Sequence, residues 1–117
     1  AVAALEDGEA YVAELVGDYS GKRTFLADAL AAIGMRVFMP EGTYFIMVDH
    51  TGVSSRLGFT DDVSFCRHLT QAVGVAAIPP SVFYSEPSRG SSLARFAFCK
   101  KQATLDEAVK RFEALKP

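Results

Sequence analysis

The residue with most to offer chemically is Arg95, the one charge in an otherwise apolar run over residues 93–99. A guanidinium is permanently ionised and presents its donors in a planar fork that matches a carboxylate or phosphate in a bidentate way. Spacing alone leaves two readings open. Arg95 is a clamp for such an anion, or it is paired with an internal carboxylate or solvated like most surface arginines.

The other reactive residue types do not assemble into a catalytic set. Ser20-Gly21-Lys22-Arg23-Thr24 lacks the glycine-rich lead and the preceding strand of a phosphate loop. Lys22 stands at the solvated start of a helix, with nothing to desolvate it into a nucleophile. His50 and His68 have no third group at metal or triad spacing, so a structural or surface role is expected for both. Lys100, Lys101, Lys110, Arg111 and Lys116 read as a solvated face. Cys66 and Cys99 are too few and too far apart for a disulfide framework or a zinc site, which predicts reduced thiols in an intracellular compartment.

At 117 residues the chain reads as a single domain, 1–117, large enough to bury a core. Half of it is hydrophobic and 22% is charged, an ordinary globular balance. A net charge of -2 supplies no basic field for nucleic acid, and no apolar run is long enough to span a membrane. Neither partner class is expected. The sequence opens on Ala1-Val2-Ala3-Ala4-Leu5, inside what reads as a helix and without an initiator Met, so the chain is expected to be a piece of something longer.

Positioning Arg95 falls to the elements around it. Helical spacing runs over residues 3–16 through Leu5, Val12, Leu15 and Val16, with Glu6, Asp7 and Glu9 at the end where the helix dipole favours them. Gly8 weakens that helix. Residues 20–33 form a stronger one on Phe25, Leu26, Ala29, Leu30 and Ile33, with Gly34 where a left-handed stop belongs. The two are expected to run together. Residues 36–39 and 43–49 read as strands joined by Pro40-Glu41-Gly42, hence a hairpin. Residues 50–59 read as a mobile loop. Thr60 is expected to cap a helix with Asp61 and Asp62 in its first turn, Asp62, Cys66, Leu69 and Val73 inward, and Gly74 at its end.

Residues 75–78 are short, apolar and small, so a buried strand is expected, stopped by Pro79-Pro80. Ser81-Val82-Phe83-Tyr84 and a polar loop over 85–92 follow. In the Arg95 strand, Phe96 and Phe98 share one face, and Leu93, Arg95, Ala97 and Cys99 the other. Thr104-Leu105-Asp106-Glu107 has the capping-box pattern, continued to the C-terminus by Leu105, Ala108, Val109, Phe112 and Leu115. The expected fold is α+β: a two-layer sandwich with a small mixed or antiparallel sheet of three to four strands, helices on one face, and a long N-terminal helix. The face carrying Arg95 is then left for a ligand or another domain.

Four segments in order carry a resemblance: Pro40-Glu41-Gly42-Thr43-Tyr44-Phe45-Ile46; Gly74-Val75-Ala76-Ala77-Ile78-Pro79-Pro80-Ser81-Val82-Phe83-Tyr84; Leu93-Ala94-Arg95-Phe96-Ala97-Phe98; and Thr104-Leu105-Asp106-Glu107-Ala108. Together they resemble the C-terminal small domain of class I/II pyridoxal-phosphate-dependent aminotransferases, nearest in look to the kynurenine, glutamine and methionine aminotransferase group. The resemblance covers essentially the whole chain. It implies transfer of an amino group between an L-amino acid and a 2-oxo acid, with Arg95 as the arginine that binds the substrate α-carboxylate. It also implies that Gly42, Tyr44 and Phe83 approach the active-site mouth, although burial in a core or domain interface is an ordinary alternative for each.

By the same resemblance the cofactor is pyridoxal 5'-phosphate, and its Schiff-base lysine, ring-nitrogen partner and phosphate ligands belong to a large domain that this chain lacks. No residue here is expected to be catalytic, to bind the cofactor or to bind a metal, and the chain alone is not expected to transaminate. The parent is expected to be a homodimer of amino acid metabolism, cytoplasmic or organellar, with any targeting peptide upstream of Ala1. Without its large domain the chain should expose an apolar face around Tyr44, Phe83, Tyr84 and Ala97. The competing class is a free-standing α+β module that binds a small carboxylate or a protein without chemistry.

Overall fold

The computed structural model describes residues 2–117; Ala1 lies outside them. The elements run α1 (Val2–Glu6), α2 (Gly8–Ala32), β1 (Arg36–Phe38), β2 (Phe45–Asp49), α3 (Thr51–Ser54), α4 (Asp62–His68), β3 (Leu93–Ala97) and α5 (Gln102–Phe112), with short 3-10 turns between them. The two expected N-terminal helices are one long helix, α2, broken from α1 only at Asp7, next to Gly8.

The second half of α2 is set by its buried stripe. Leu26, Ala27, Leu30 and Ile33 face the core. Phe25, expected inside, sits on the edge of that stripe and is 36% exposed. Helix α2 stops in a Schellman motif: Gly34, at φ 99°, donates to Ala31 C=O at 3.0 Å, and Met35 donates to Leu30 C=O at 3.1 Å. The first half of α2 has no such packing, and Tyr11, Val12 and Val16 are exposed.

The sheet has three strands in the order β1-β2-β3, antiparallel throughout. The expected fourth strand at 75–78 does not form. Only Ile78 bridges to Arg95, through a reciprocal pair of hydrogen bonds of 3.0 Å each, because Pro79 and Pro80 stop the ladder at once. The register puts Val37, Ile46, Val48, Ala94 and Phe96 on one face. Against that face pack Leu26 and Leu30 of α2, Phe65, Cys66 and Leu69 of the α4 region, and Phe112 of α5. The Phe96 and Phe112 rings meet edge to face at 6.0 Å.

Three local expectations need correction. Residues 50–59 are largely helical, α3 followed by a 3-10 turn over Ser55–Leu57, because Asp49 accepts from Thr51 N–H at 2.9 Å and starts the turn. The cap of α4 is Asp61, not Thr60: its carboxylate accepts from Ser64 N–H at 2.9 Å, while Asp62 points inward as expected. The expected capping box of α5 is unused, since the helix begins at Gln102 and Thr104 already lies within it. Helix α4 also runs on through a π turn, Leu69–Val73, before Gly74 ends it at φ 76°.

Candidate functional site

The strand register fixes what surrounds Arg95. On the sheet face away from the helices, Arg95 is paired with Met47, which is paired in turn with Phe38. Phe45 and Ala97 form the next row, and Asp49 with Arg36 and Leu93 the row on the other side. This face is apolar except for Arg36, Asp49 and Arg95. Asp49 is already engaged. Burial opposes its ionisation, but hydrogen bonds from Thr51 outweigh that, and with Arg36 nearby they hold its carboxyl below the ordinary range.

Arg95 itself is half-buried and held by aromatic rings. Its guanidinium carbon lies 4.8 Å from the Phe45 ring centroid and 5.4 Å from that of Phe83. Contacts of this kind are worth about 0.5–2 kcal/mol and leave the in-plane N–H donors free. Among the described residues the ion pairs are Lys22–Asp18, Arg89–Glu86, Arg111–Glu107 and Lys116–Glu113, each local in sequence. Arg95 therefore has no carboxylate partner among them, and the internal-pair alternative does not apply. A charge steered by two rings and left with open donors is suited to a planar oxyanion.

The residues expected with Arg95 divide. Phe83 reaches it directly. Tyr44 belongs to the same aromatic cluster at one remove, its ring edge-on to Phe45 at 5.7 Å. Gly42 does not join them; it lines a separate groove of about 200 Å³ with Leu15, Tyr19, Arg23 and Phe98. Beside it Thr43 holds the left-handed region at φ 68°, unusual for a β-branched residue. Phe45 is a site residue that the sequence reading does not single out. The one signal for it is the alternation within β2, which puts it on the face of Arg95 once the pairing is known.

The remaining reactive groups have structural employment. His50 is buried, with Nδ1 2.9 Å from Ser54 Oγ, Nε2 3.2 Å from Ser91 C=O, and its ring stacked at 4.7 Å on Phe65. His68 packs its ring against Phe59 at 4.8 Å. Burial, with Asp62 and Asp61 adding, pushes the Cys66 thiol up to about 12, far from a nucleophilic thiolate. Lys22 pairs with Asp18 at 2.7 Å. Among the described residues no three of the His, Cys, Asp or Glu type group to hold a metal. A cleft of about 490 Å³ between α5 and residues 74–76 brings none of these groups together.

Comparison with known proteins identifies the family of the chain as a whole. The family model described as aminotransferase class I and II matches residues 1–112. The probable N-succinyldiaminopimelate aminotransferase DapC of Mycobacterium tuberculosis is 40% identical over 121 aligned residues, which cover 96% of this chain and 29% of that protein. The methionine aminotransferase of Escherichia coli is 44% identical over 97 residues, covering 83% of this chain and 24% of that protein. The solved structure of the Mycobacterium tuberculosis N-succinyldiaminopimelate aminotransferase superposes with a TM-score of 0.85 at 41% identity, over 96% of this chain and 28% of that one. The chain thus spans less than a third of the length of these relatives.

Proposed function

Because this chain belongs to the class I and II aminotransferases, we propose that it is the C-terminal small domain of a longer enzyme that exchanges an amino group between an L-amino acid and a 2-oxo acid, and that Arg95 is its clamp for the substrate α-carboxylate. The observation that carries this reading is the state of the Arg95 side chain: a guanidinium without a carboxylate partner among the described residues, on the uncovered sheet face, set between Phe45 and Phe83. Amino acid and oxo acid share one feature, an α-carboxylate. A rigid bidentate contact with it serves both half-reactions and fixes how the Cα substituents are presented.

In this reading the cofactor's site lies outside this chain. Pyridoxal 5'-phosphate in such an enzyme needs a lysine for its aldehyde and donors for its phosphate. Of the five lysines, Lys22 is tied to Asp18, while Lys100, Lys101, Lys110 and Lys116 are exposed, and none lies on the strand face with Arg95. The cofactor residues then come from the rest of the longer protein. The exposed Phe38, Tyr44, Ile78, Val82, Phe83 and Tyr84 are the surface on which that part would rest. In this reading the parent is an intracellular homodimer.

Two measurements test the assignment. The isolated chain, given excess pyridoxal phosphate and borohydride, should show no specific adduct, and a trapped adduct at one lysine would contradict the reading. In the full-length protein, Arg95→Ala should raise KM for both the amino acid and the oxo acid. Unchanged constants for both would return Arg95 to an ordinary surface arginine and leave a carboxylate- or protein-binding module as the better account.

A further inference from the structure

Phe83 is 66% exposed, so side-chain packing alone does not explain why its ring sits over Arg95. Its position comes from the backbone of the 3-10 turn Pro80–Phe83, and that turn is anchored from beneath. Asp62, at the start of α4, is only 1% exposed and its Oδ2 accepts from Ser81 N–H at 2.8 Å, nineteen residues along the chain. The same turn is braced from behind by Gly90: a Cβ there would lie 2.6 Å from Ser81 N, so a side chain at 90 would push the turn away. The far end of the loop is held by His50, whose backbone N–H donates to Ser92 C=O at 2.9 Å.

Burying a carboxylate is costly unless its hydrogen bonds are good, and a bond to an ionised acceptor is stronger than one to a neutral group. Asp62 brings that strength to one backbone N–H, two residues from Phe83. We infer that Asp62 is a positioning residue for substrate carboxylate binding, acting through Ser81 to set Phe83 over the Arg95 guanidinium. It does not touch substrate. This inference rests on the reading of Arg95 as the carboxylate clamp.

The test is a mutant cycle in the full-length enzyme, read as KM and kcat for the amino acid and the oxo acid. Asp62→Leu keeps the branching of the side chain, removes the acceptor and leaves no buried unpaired charge. It should raise both KM values about tenfold, the scale of losing a hydrogen bond to a charged group, with kcat within about twofold. Asp62→Asn, which keeps an oxygen acceptor, should recover most of that loss. In a Phe83→Ala background, Asp62→Leu should add less than about twofold, because both changes act through one ring. Effects that multiply, or a fall in kcat with KM unchanged, would reduce Asp62 to a fold-stabilising residue and overturn the inference.

Phe83→Ala alters an exposed side chain and so reports even if Asp62→Leu does not accumulate. If it leaves both KM values unchanged while Arg95→Ala raises them, the inference fails and the clamp stands. If Arg95→Ala also leaves them unchanged, the clamp reading fails first.

Discussion

The guanidinium of Arg95 lies 4.8 Å from the centroid of the Phe45 ring, diagonally across the β2–β3 ladder, in which Arg95 faces Met47 and Phe45 faces Ala97. A cation over a ring face is attracted by the ring quadrupole, and here the ring also restricts the rotamers of a long, flexible side chain. In the full-length enzyme, Phe45→Leu should therefore raise KM for the amino acid and the oxo acid by about three- to tenfold, the equivalent of about 0.5–1.5 kcal/mol. Steady-state kinetics on both substrates checks this, and a change confined to kcat would count against it.

Leu30 joins two features, full burial against the sheet and the carbonyl that receives Met35 N–H at the end of α2. Leu30→Ala should destabilise the fold by about 2–5 kcal/mol. Val12→Ala, on the exposed half of the same helix, should change stability by less than about 0.5 kcal/mol. Urea denaturation of the two variants side by side measures the contrast.

Two glycines should respond to alanine in opposite directions. A Cβ at Gly52 would collide with the Gly34 carbonyl oxygen, a backbone atom that cannot swing aside, so Gly52→Ala should destabilise by about 1–3 kcal/mol. Gly17 lies in mid α2, where an added methyl would meet nothing within 4 Å, and Gly17→Ala should stabilise by about 0.5–1 kcal/mol. Thermal melts of both report the sign directly.

Burial lowers the His50 pKa from its ordinary 6.5, and the hydrogen bond to Ser91 together with Asp49 and Asp62 only partly opposes this. The unfolded chain then binds a proton more readily than the folded one. Stability from the neutral ring is complete above pH 6.5 and is lost as pH falls from there toward the folded pKa, by about 1.4 kcal/mol for each pH unit separating the two pKa values. His50→Gln should flatten unfolding free energy against pH in that window. The lowered carboxyls of Asp49 and Asp61 act separately, near and below pH 3.8. Equal slopes for wild type and variant just below pH 6.5 would refute the assignment to His50.

Much of the fold is legible in the residues because local rules and tertiary packing agree. Gly34 and Gly74 end helices at left-handed φ where the apolar stripes run out, and the alternation around Arg95 separates Ala94 and Phe96 from Arg95 and Ala97 as a strand must. The inward spacing of Asp62 is legible too, but not its partner: Ser81 N–H is distant in sequence, and no local pattern announces it. Residues 50–59 read as loop by composition, yet Arg56 donates to the Ile33 and Leu115 carbonyls and organises them. The apolar run at 75–78 lacks the length to make a ladder before two prolines. Phe45 stays hidden because its meaning depends on register, which only the pairing of β2 with β3 reveals.

The proposed recognition of the substrate α-carboxylate by Arg95 separates two substrates that differ only in that group. In the full-length enzyme, kcat/KM is measured for wild type and Arg95→Ala with an amino acid and with the corresponding amine that lacks the carboxylate. The expected result is a fall of about a hundredfold or more for the amino acid, the scale of losing a charge-assisted bidentate contact, and a change within about twofold for the amine. Equal losses on both substrates, or no loss on the amino acid, would contradict it.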